Sequence, residues 1–241
     1  MNVFMLVSVV LMAGLINASF QVAPGILLLL YHSSLGCNIT GKTRALASSY
    51  ISGVAYMLLL TLAAVILLVL GANLGVLIHS LVPAVSVSSG NFFVSAILLL
   101  LTGVVALILY YRPSRSTELW LARPVARFLA RRAELTNSNT EAFSLGLMSV
   151  VGELPFSFAL MATVASFSAT LPLGYICLSL ALFTIASILP LVLLRAFIRR
   201  GKSVIDIQRW RVKEKTFLKY FSGIALISLG LFVLAFFVLG V

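Results

Sequence analysis

The stretch SVVGELPFSFAL, Ser149 to Leu160, sets a glutamate and a proline in the middle of an otherwise apolar run. The run continues on both sides for long enough to cross a bilayer, which takes about 20 residues per helix. Charged residues make up only 10% of the 241-residue chain, and Glu153 is the only acid inside a long hydrophobic segment. What compensates that carboxylate is the question around which fold and function turn.

The composition sets the class. The chain is 61% hydrophobic with a mean hydropathy of +1.16, where a soluble domain is roughly half apolar. The apolar residues fall in unbroken runs and lack the alternation of a membrane barrel strand, so the expectation is an all-α integral membrane protein. Spans are expected at about 3–31, 46–70, 91–111, 142–165, 171–194 and 218–241. MNVFMLVSVV has no basic residue ahead of its apolar run and reads as the first helix rather than a cleaved signal.

Charge sorts the connections. Two basic residues follow span 1 (Lys42, Arg44), six follow span 3 (Arg112 to Arg132), and nine lie between spans 5 and 6 (Arg195 to Lys219), accounting for all 17. The loops after spans 2 and 4 carry none. By the positive-inside rule the basic connections are cytoplasmic and both termini extracytoplasmic. The net charge of +11 is then topology signal plus attraction to anionic lipid headgroups, with no nucleic acid required. In 116–135, Trp120, Leu121, Val125, Phe128 and Leu129 can share a face opposite the arginines. In 199–219, Ile205, Trp210 and Phe217 are scattered among basic residues. Both segments read as amphipathic helices on the inner membrane surface, with a docking surface for a soluble partner as the alternative.

The chain also aligns with itself. GLINASFQVAPGILLL (14–29) against GLMSVVGELPFSFALM (146–161) pairs Gly14 with Gly146, Asn17 with Ser149, Gln21 with Glu153 and Gly25 with Ser157. The spacing i, i+3, i+7, i+11 keeps each set on one helix face. With the first and fourth spans running in opposite directions, the expected organisation is two inverted three-helix repeats, 1–111 and 142–241, joined by a basic amphipathic connection, 112–141. Interrupted helices in matching positions of such repeats point to a transport site at the midplane. The expected helix breaks are Pro24, Gly25, Pro155 and Pro190.

The Pro24-Gly25 pair, the basic loop GCNITGKTRA (36–45), the opening SSYISGVAY (48–56) and TGVVALILYYRP (102–113) resemble the lysine exporter (LysE) superfamily of small inner-membrane transporters. That grouping is similar in architecture to the DsbD/CcdA transmembrane electron carriers. The resemblance implies a transporter in a prokaryotic inner membrane, and export as the direction. The exporters often show Gly-Pro-Gly where this chain has Ala23-Pro24-Gly25. The electron carriers need a cysteine beside the prolines, where this chain has Ala23, Gly25, Leu154 and Phe156, which disfavours thiol redox by that route.

Glu153 lies near the middle of its span. A charged carboxylate there costs several kcal/mol, and such groups usually face a bundle interior or wet cavity. No lysine or arginine falls within the interior of a span, Lys219 standing at the first turn of the last. The carboxyl is therefore either protonated, because burial disfavours the charged form, or neutralised by a cation. Asn17, Gln21 and Ser149 are the candidate substrate-binding partners of Glu153. The competing reading is a neutral hydrogen bond between Glu153 and Gln21 that only holds two helices in register.

The expected function is a secondary transporter of a small solute, with amino acids and metal ions as candidate classes and a cation favoured, proton-coupled through Glu153. A non-transporting subunit that scaffolds a larger membrane complex is the alternative. No enzyme activity or cofactor is expected. No phosphate-binding loop exists, since Gly41-Lys42 lacks the upstream glycine. Cys37, Cys177, His32 and His79 form no recognisable metal cluster or disulfide, and the histidines read as interfacial residues without partners. A homodimer is a candidate assembly.

Overall fold

The computed structural model describes residues 3–20, 22–33, 41–72, 74–86, 89–110, 123–200 and 203–240. Among them the fold is all helix. In chain order the helices are α1 (Val3–Ala18), α2 (Val22–Ser33), α3 (Gly41–Ala72), α4 (Leu74–Leu81), α5 (Gly90–Val105), α6 (Arg123–Leu135), α7 (Asn139–Ser168), α8 (Leu173–Arg199), α9 (Val204–Lys213) and α10 (Lys215–Val233). The helices α5 and α10 each run on into a wider π turn, Ala106–Tyr110 and Leu234–Leu239. Five of these helices are long and apolar enough to cross a membrane, and a sixth span arises if α1 and α2, bent by 49° at their junction, count as one. The architecture is compatible with a multi-pass membrane protein.

Helix α7 is the centre of the bundle. In its most apolar stretch 56% of residues are buried, against 33–39% in the other four long helices, and from Ala159 to Ser168 every residue is buried. Its start is encoded locally by a capping box. The Glu141 backbone N–H donates to Ser138 Oγ at 3.3 Å, while Glu141 Oε2 accepts from the backbone N–H of Ser138 at 3.3 Å and of Asn137 at 2.8 Å. This reciprocal arrangement satisfies donors that a helix start otherwise leaves open. Pro155 and Pro190 lie inside α7 and α8, which continue past them. Neither proline ends its helix, contrary to the expectation from sequence: a membrane helix tolerates an internal proline when local adjustment or neighbouring groups satisfy the freed backbone.

Small residues set the helix spacing. A Cβ on Gly146 of α7 would run into the Tyr50 carbonyl of α3, and one on Gly53 of α3 would run into the Phe143 carbonyl of α7. Helices α3 and α7 therefore touch backbone to backbone, and this is the most extensive pairing in the fold. The second such pairing is α1 with α8, where a Cβ on Gly14 would lie 2.6 Å from the Ala186 Cβ and 3.1 Å from the Phe183 carbonyl oxygen. The third is α5 with α10. A Cβ on Gly103 would lie 2.7 Å from Ile227 Cγ1 and 3.1 Å from the Gly223 carbonyl. One on Gly230 would lie 3.1 Å from Leu100 Cγ and 3.2 Å from the Ala96 carbonyl. Without a hydrophobic force between helices in lipid, such close approach is what dispersion needs.

The basic connections differ in part from expectation. The buried face of α6 is Ala126, Leu129 and Ala133, packed on the bundle, while Val125 and Phe128 are exposed. Of the expected apolar face Leu129 docks the helix, and two alanines take the place of Val125 and Phe128 beside it. Trp120 and Leu121 lie outside the described residues. In α9, Val204 is buried, while Ile205 and Trp210 are exposed. His79, expected to lack a partner, has its Nδ1 2.8 Å from the Val85 carbonyl, which closes the turn after α4.

Gly53→Ala must push a methyl against a backbone carbonyl, so it lowers stability by about 1–3 kcal/mol. Gly71→Ala, in open space on the same helix, is neutral or slightly stabilising. Thermal unfolding in detergent distinguishes the two.

Candidate functional site

The junction of α1 and α2 is broken by residues that cannot continue a helix. The last turn of α1 tightens to i−3 bonds, with Ser19 N–H donating to the Ile16 carbonyl at 3.0 Å and Phe20 N–H to the Asn17 carbonyl at 3.2 Å. Ser19 Oγ also donates to the Ile16 carbonyl at 2.6 Å. Pro24 has no N–H, and its ring excludes the carbonyl four residues earlier, so it is tolerated only in a first helical turn. It is the third residue of α2. Sequence placed the break at Pro24 and Gly25, whereas the chain breaks three to five residues earlier and Pro24-Gly25 belongs to the new helix. The shift exposes the backbone N–H groups of Val22 and Ala23 at mid-bundle.

Glu153 meets that exposed end. The Val22 N–H donates to Glu153 Oε1 at 2.7 Å, a contact between α2 and α7 in which both residues are buried. A hydrogen bond to a carboxylate at this length is of the strong, charge-assisted kind. The N-terminus of a helix adds roughly half a positive charge. The positive partner that the sequence withheld from Glu153 is thus supplied by the backbone.

Beside this contact lies a cavity of about 20 Å³, bordered by α1, α2, α3, α7 and α8. Asn17, Glu153 and Ser187 are its polar walls; Phe20, Ala23, Pro24, Val54, Leu58, Val150, Pro190 and Leu191 complete it with Ala18. A space of that size accommodates about one water molecule. Asn17 Oδ1 and Ser187 Oγ are buried without a hydrogen-bond partner, so two polar atoms face a water-sized space with their capacity open. From the α3 side, Tyr50 is fully buried and its hydroxyl donates to the Ala23 carbonyl at 3.0 Å, fixing the first turn of α2.

The expected site residues therefore separate. Glu153, Asn17, Pro24 and Pro190 converge on the cavity. Ser149 does not line it; the Ser149 hydroxyl is buried and donates to the Gly146 carbonyl of its own helix at 2.8 Å, a local bond common to serines in apolar helices. Gly25 and Ser157 are buried in the flanking turns, and Pro155 lies off the cavity. Gln21 lies outside the described residues. Sequence reading missed Ser187, Tyr50 and the Val22 N–H. Ser187 was detectable as the residue one turn before Pro190 on the same face, and Tyr50 as a phenol inside an apolar span. Among the described residues no three His, Cys, Asp or Glu side chains come together as a metal cluster.

No protein-family model matches the chain, and neither a curated protein nor a solved structure matches it.

Glu153→Ala removes the acceptor for the Val22 N–H and leaves a buried donor open. It is expected to cost about 2 kcal/mol, whereas Glu153→Gln keeps an acceptor oxygen, loses only the charge assistance and costs about 1 kcal/mol. Parallel thermal unfolding of the purified variants measures the difference.

Proposed function

We propose that the chain is a secondary transporter of a small solute, built from six spans and proton-coupled through Glu153. The observation that carries this reading is the buried Glu153 carboxylate on the N-terminus of a broken helix at mid-bundle, beside a polar cavity. Discontinuous helices whose half-helix ends face a midplane site are the construction of alternating-access carriers. The cavity in its present closed form is too small for an amino acid, so transport requires α1 and α2 to move relative to α7 about the Ser19–Phe20 junction.

The packing supports an inverted repeat. The close contact of Gly146 on α7 with Tyr50 and Gly53 of α3 has a counterpart in Gly14 on α1 with Phe183 and Ala186 of α8. Gly14 and Gly146 are the residues that the internal alignment pairs. In the third helices, one constant shift carries Ala96, Leu100 and Gly103 onto Gly223, Ile227 and Gly230, and each set packs on the other. Both third helices close in a π turn. These correspondences favour halves related by a two-fold axis in the membrane plane. The arginine distribution favours a cytoplasmic basic end in a prokaryotic inner membrane, with both termini outside.

A second reading, a non-transporting subunit of a larger membrane complex, draws on an exposed apolar groove of about 600 Å³ between α1 and α10, lined by Phe4, Met12, Leu229 and Phe232 among others.

Proteoliposomes containing a trapped pH indicator separate the two. Small solutes, amino acids and mono- and divalent cations included, are added outside. The transporter reading expects solute-dependent proton movement in the wild type and none in Glu153→Gln. Proton movement that persists in Glu153→Gln removes Glu153 from the mechanism, and its absence with every solute favours the scaffold.

A further inference from the structure

We infer that the transported solute is a small anion of the carboxylate class, which takes the place of Glu153 at the N-terminus of α2 while Glu153 takes up one proton. The inference rests on the transporter reading and adds the sign of the solute to it. It departs from the expectation of a cation, which arose because no positive partner for Glu153 was visible in the sequence. That partner is the exposed turn of α2. Its Val22 N–H is already arranged around a carboxylate oxygen, so the group that best replaces Glu153 there is another carboxylate.

The surroundings fix the exchange ratio. Helix α1 has no ionisable side chain. Those of α2 are Tyr31 and His32 in its last turns, those of α8 lie towards its two ends, and α3 faces Glu153 with the phenol of Tyr50. One half-helix end, with roughly half a positive charge, therefore stands against one carboxylate. A second, uncompensated carboxylate in the same buried space is repelled at short range in low dielectric, so the anion enters only as Glu153 becomes neutral. A water-borne proton goes to the Glu153 carboxylate as its bond to the Val22 N–H gives way to the incoming anion; the net charge of the site is unchanged. The protonated carboxyl then needs an acceptor. Asn17, 7% exposed, has its Oδ1 unpartnered on the wall of the same cavity, and Ser187, also 7% exposed, has an unpartnered Oγ there.

The approach from the basic end has the same polarity. At the other terminus of α2, Tyr31 is buried with its hydroxyl unpartnered, within electrostatic reach of Arg195, Arg199 and Arg44. Arg195 Nη1 donates to Ser48 Oγ at 3.3 Å, and its Nε has no partner. Three guanidinium groups at this end of the bundle raise the local concentration of anions and lower that of cations.

The test uses the full chain purified in detergent, with thermal unfolding as the binding readout. The anion probes are formate, acetate and propionate, with chloride beside them. The cation probes are sodium, manganese, methylammonium and guanidinium. All measurements stay above about pH 6, where the carboxylate probes remain ionised. At least one carboxylate is expected to raise the unfolding midpoint. Its affinity should strengthen by up to roughly tenfold per unit fall in pH, the linkage of one proton. In Glu153→Gln carboxylate binding should persist without that pH dependence. Arg195→Gln should weaken it several-fold and leave the pH dependence in place.

Stabilisation by cations alone, by no probe, or with the same pH dependence in Glu153→Gln overturns the inference. Glu153-dependent proton movement driven by a cation in proteoliposomes also overturns it, and leaves the transporter reading standing. Proton-linked carboxylate binding without flux does the reverse.

Discussion

The bond from the Val22 N–H to the Glu153 carboxylate holds together two features that are each unfavourable alone. A carboxylate in the middle of an apolar helix lacks solvent and a counter-ion. A helix that starts at mid-bundle leaves its first N–H groups without acceptors. Placed 2.7 Å apart, each removes the other's deficit. The rest of the site follows from that pairing. Tyr50 ties the Ala23 carbonyl from α3, Pro24 prevents α1 and α2 from joining, and the continuous helix α7 carries Glu153 on its buried face.

The sequence made the broad architecture legible because hydropathy and charge act over whole segments. The long apolar helices fall close to the expected spans, and the basic residues cluster at their ends. What it left illegible was local and backbone-borne. The position of the break follows from the first-turn rule for proline, yet the same residue type in α7 and α8 leaves those helices continuous. Residue type alone does not distinguish a proline in a first turn from one inside a continuing helix. The acceptor demand of Val22 carries no side-chain signature at all. Ser149 illustrates the converse. It matched the polar stripe by spacing, but a serine in an apolar helix can satisfy itself on its own turn, and this one does. Of the expected polar residues within the described part, Glu153 and Asn17 border the cavity, and Ser149, which is satisfied within its own helix, does not.

The glycine contacts give the internal alignment a physical basis that similarity between two apolar helices lacks. Any two apolar segments can be aligned, but Gly14 and Gly146 each mark a point where a backbone is pressed on a long helix, α8 or α3, of the half that holds the other glycine. That constraint is steric and exact to one residue, because a neighbour one position along faces elsewhere on the helix. The pairing of Gly103 with Gly223 and Ile227, mirrored by Gly230 with Ala96 and Leu100, is of the same kind and had no counterpart in the motif comparison. Under the proposed inverted repeat, small residues at matched contacts are the part of the two halves that stays alike, while the polar residues differ.

The divergence itself has a use. A fold with two equivalent halves would place two broken helices, or two carboxylates, at its centre. Here α1 and α2 are bent by 49° while α7 is continuous, so one half supplies the donor and the other the acceptor. A donor turn hinged at Ser19–Phe20 can leave a fixed carboxylate by rotation, without unwinding α7 or disturbing the α3–α7 backbone contact. The movable part is then the short α2, held at one end by Glu153 and Tyr50 and at the other by its neighbours at the basic end. Whatever changes the charge on Glu153 changes the strength of the first attachment and leaves the second intact. In the proposed transport mechanism a single protonation event is in that way converted into movement of one half-helix.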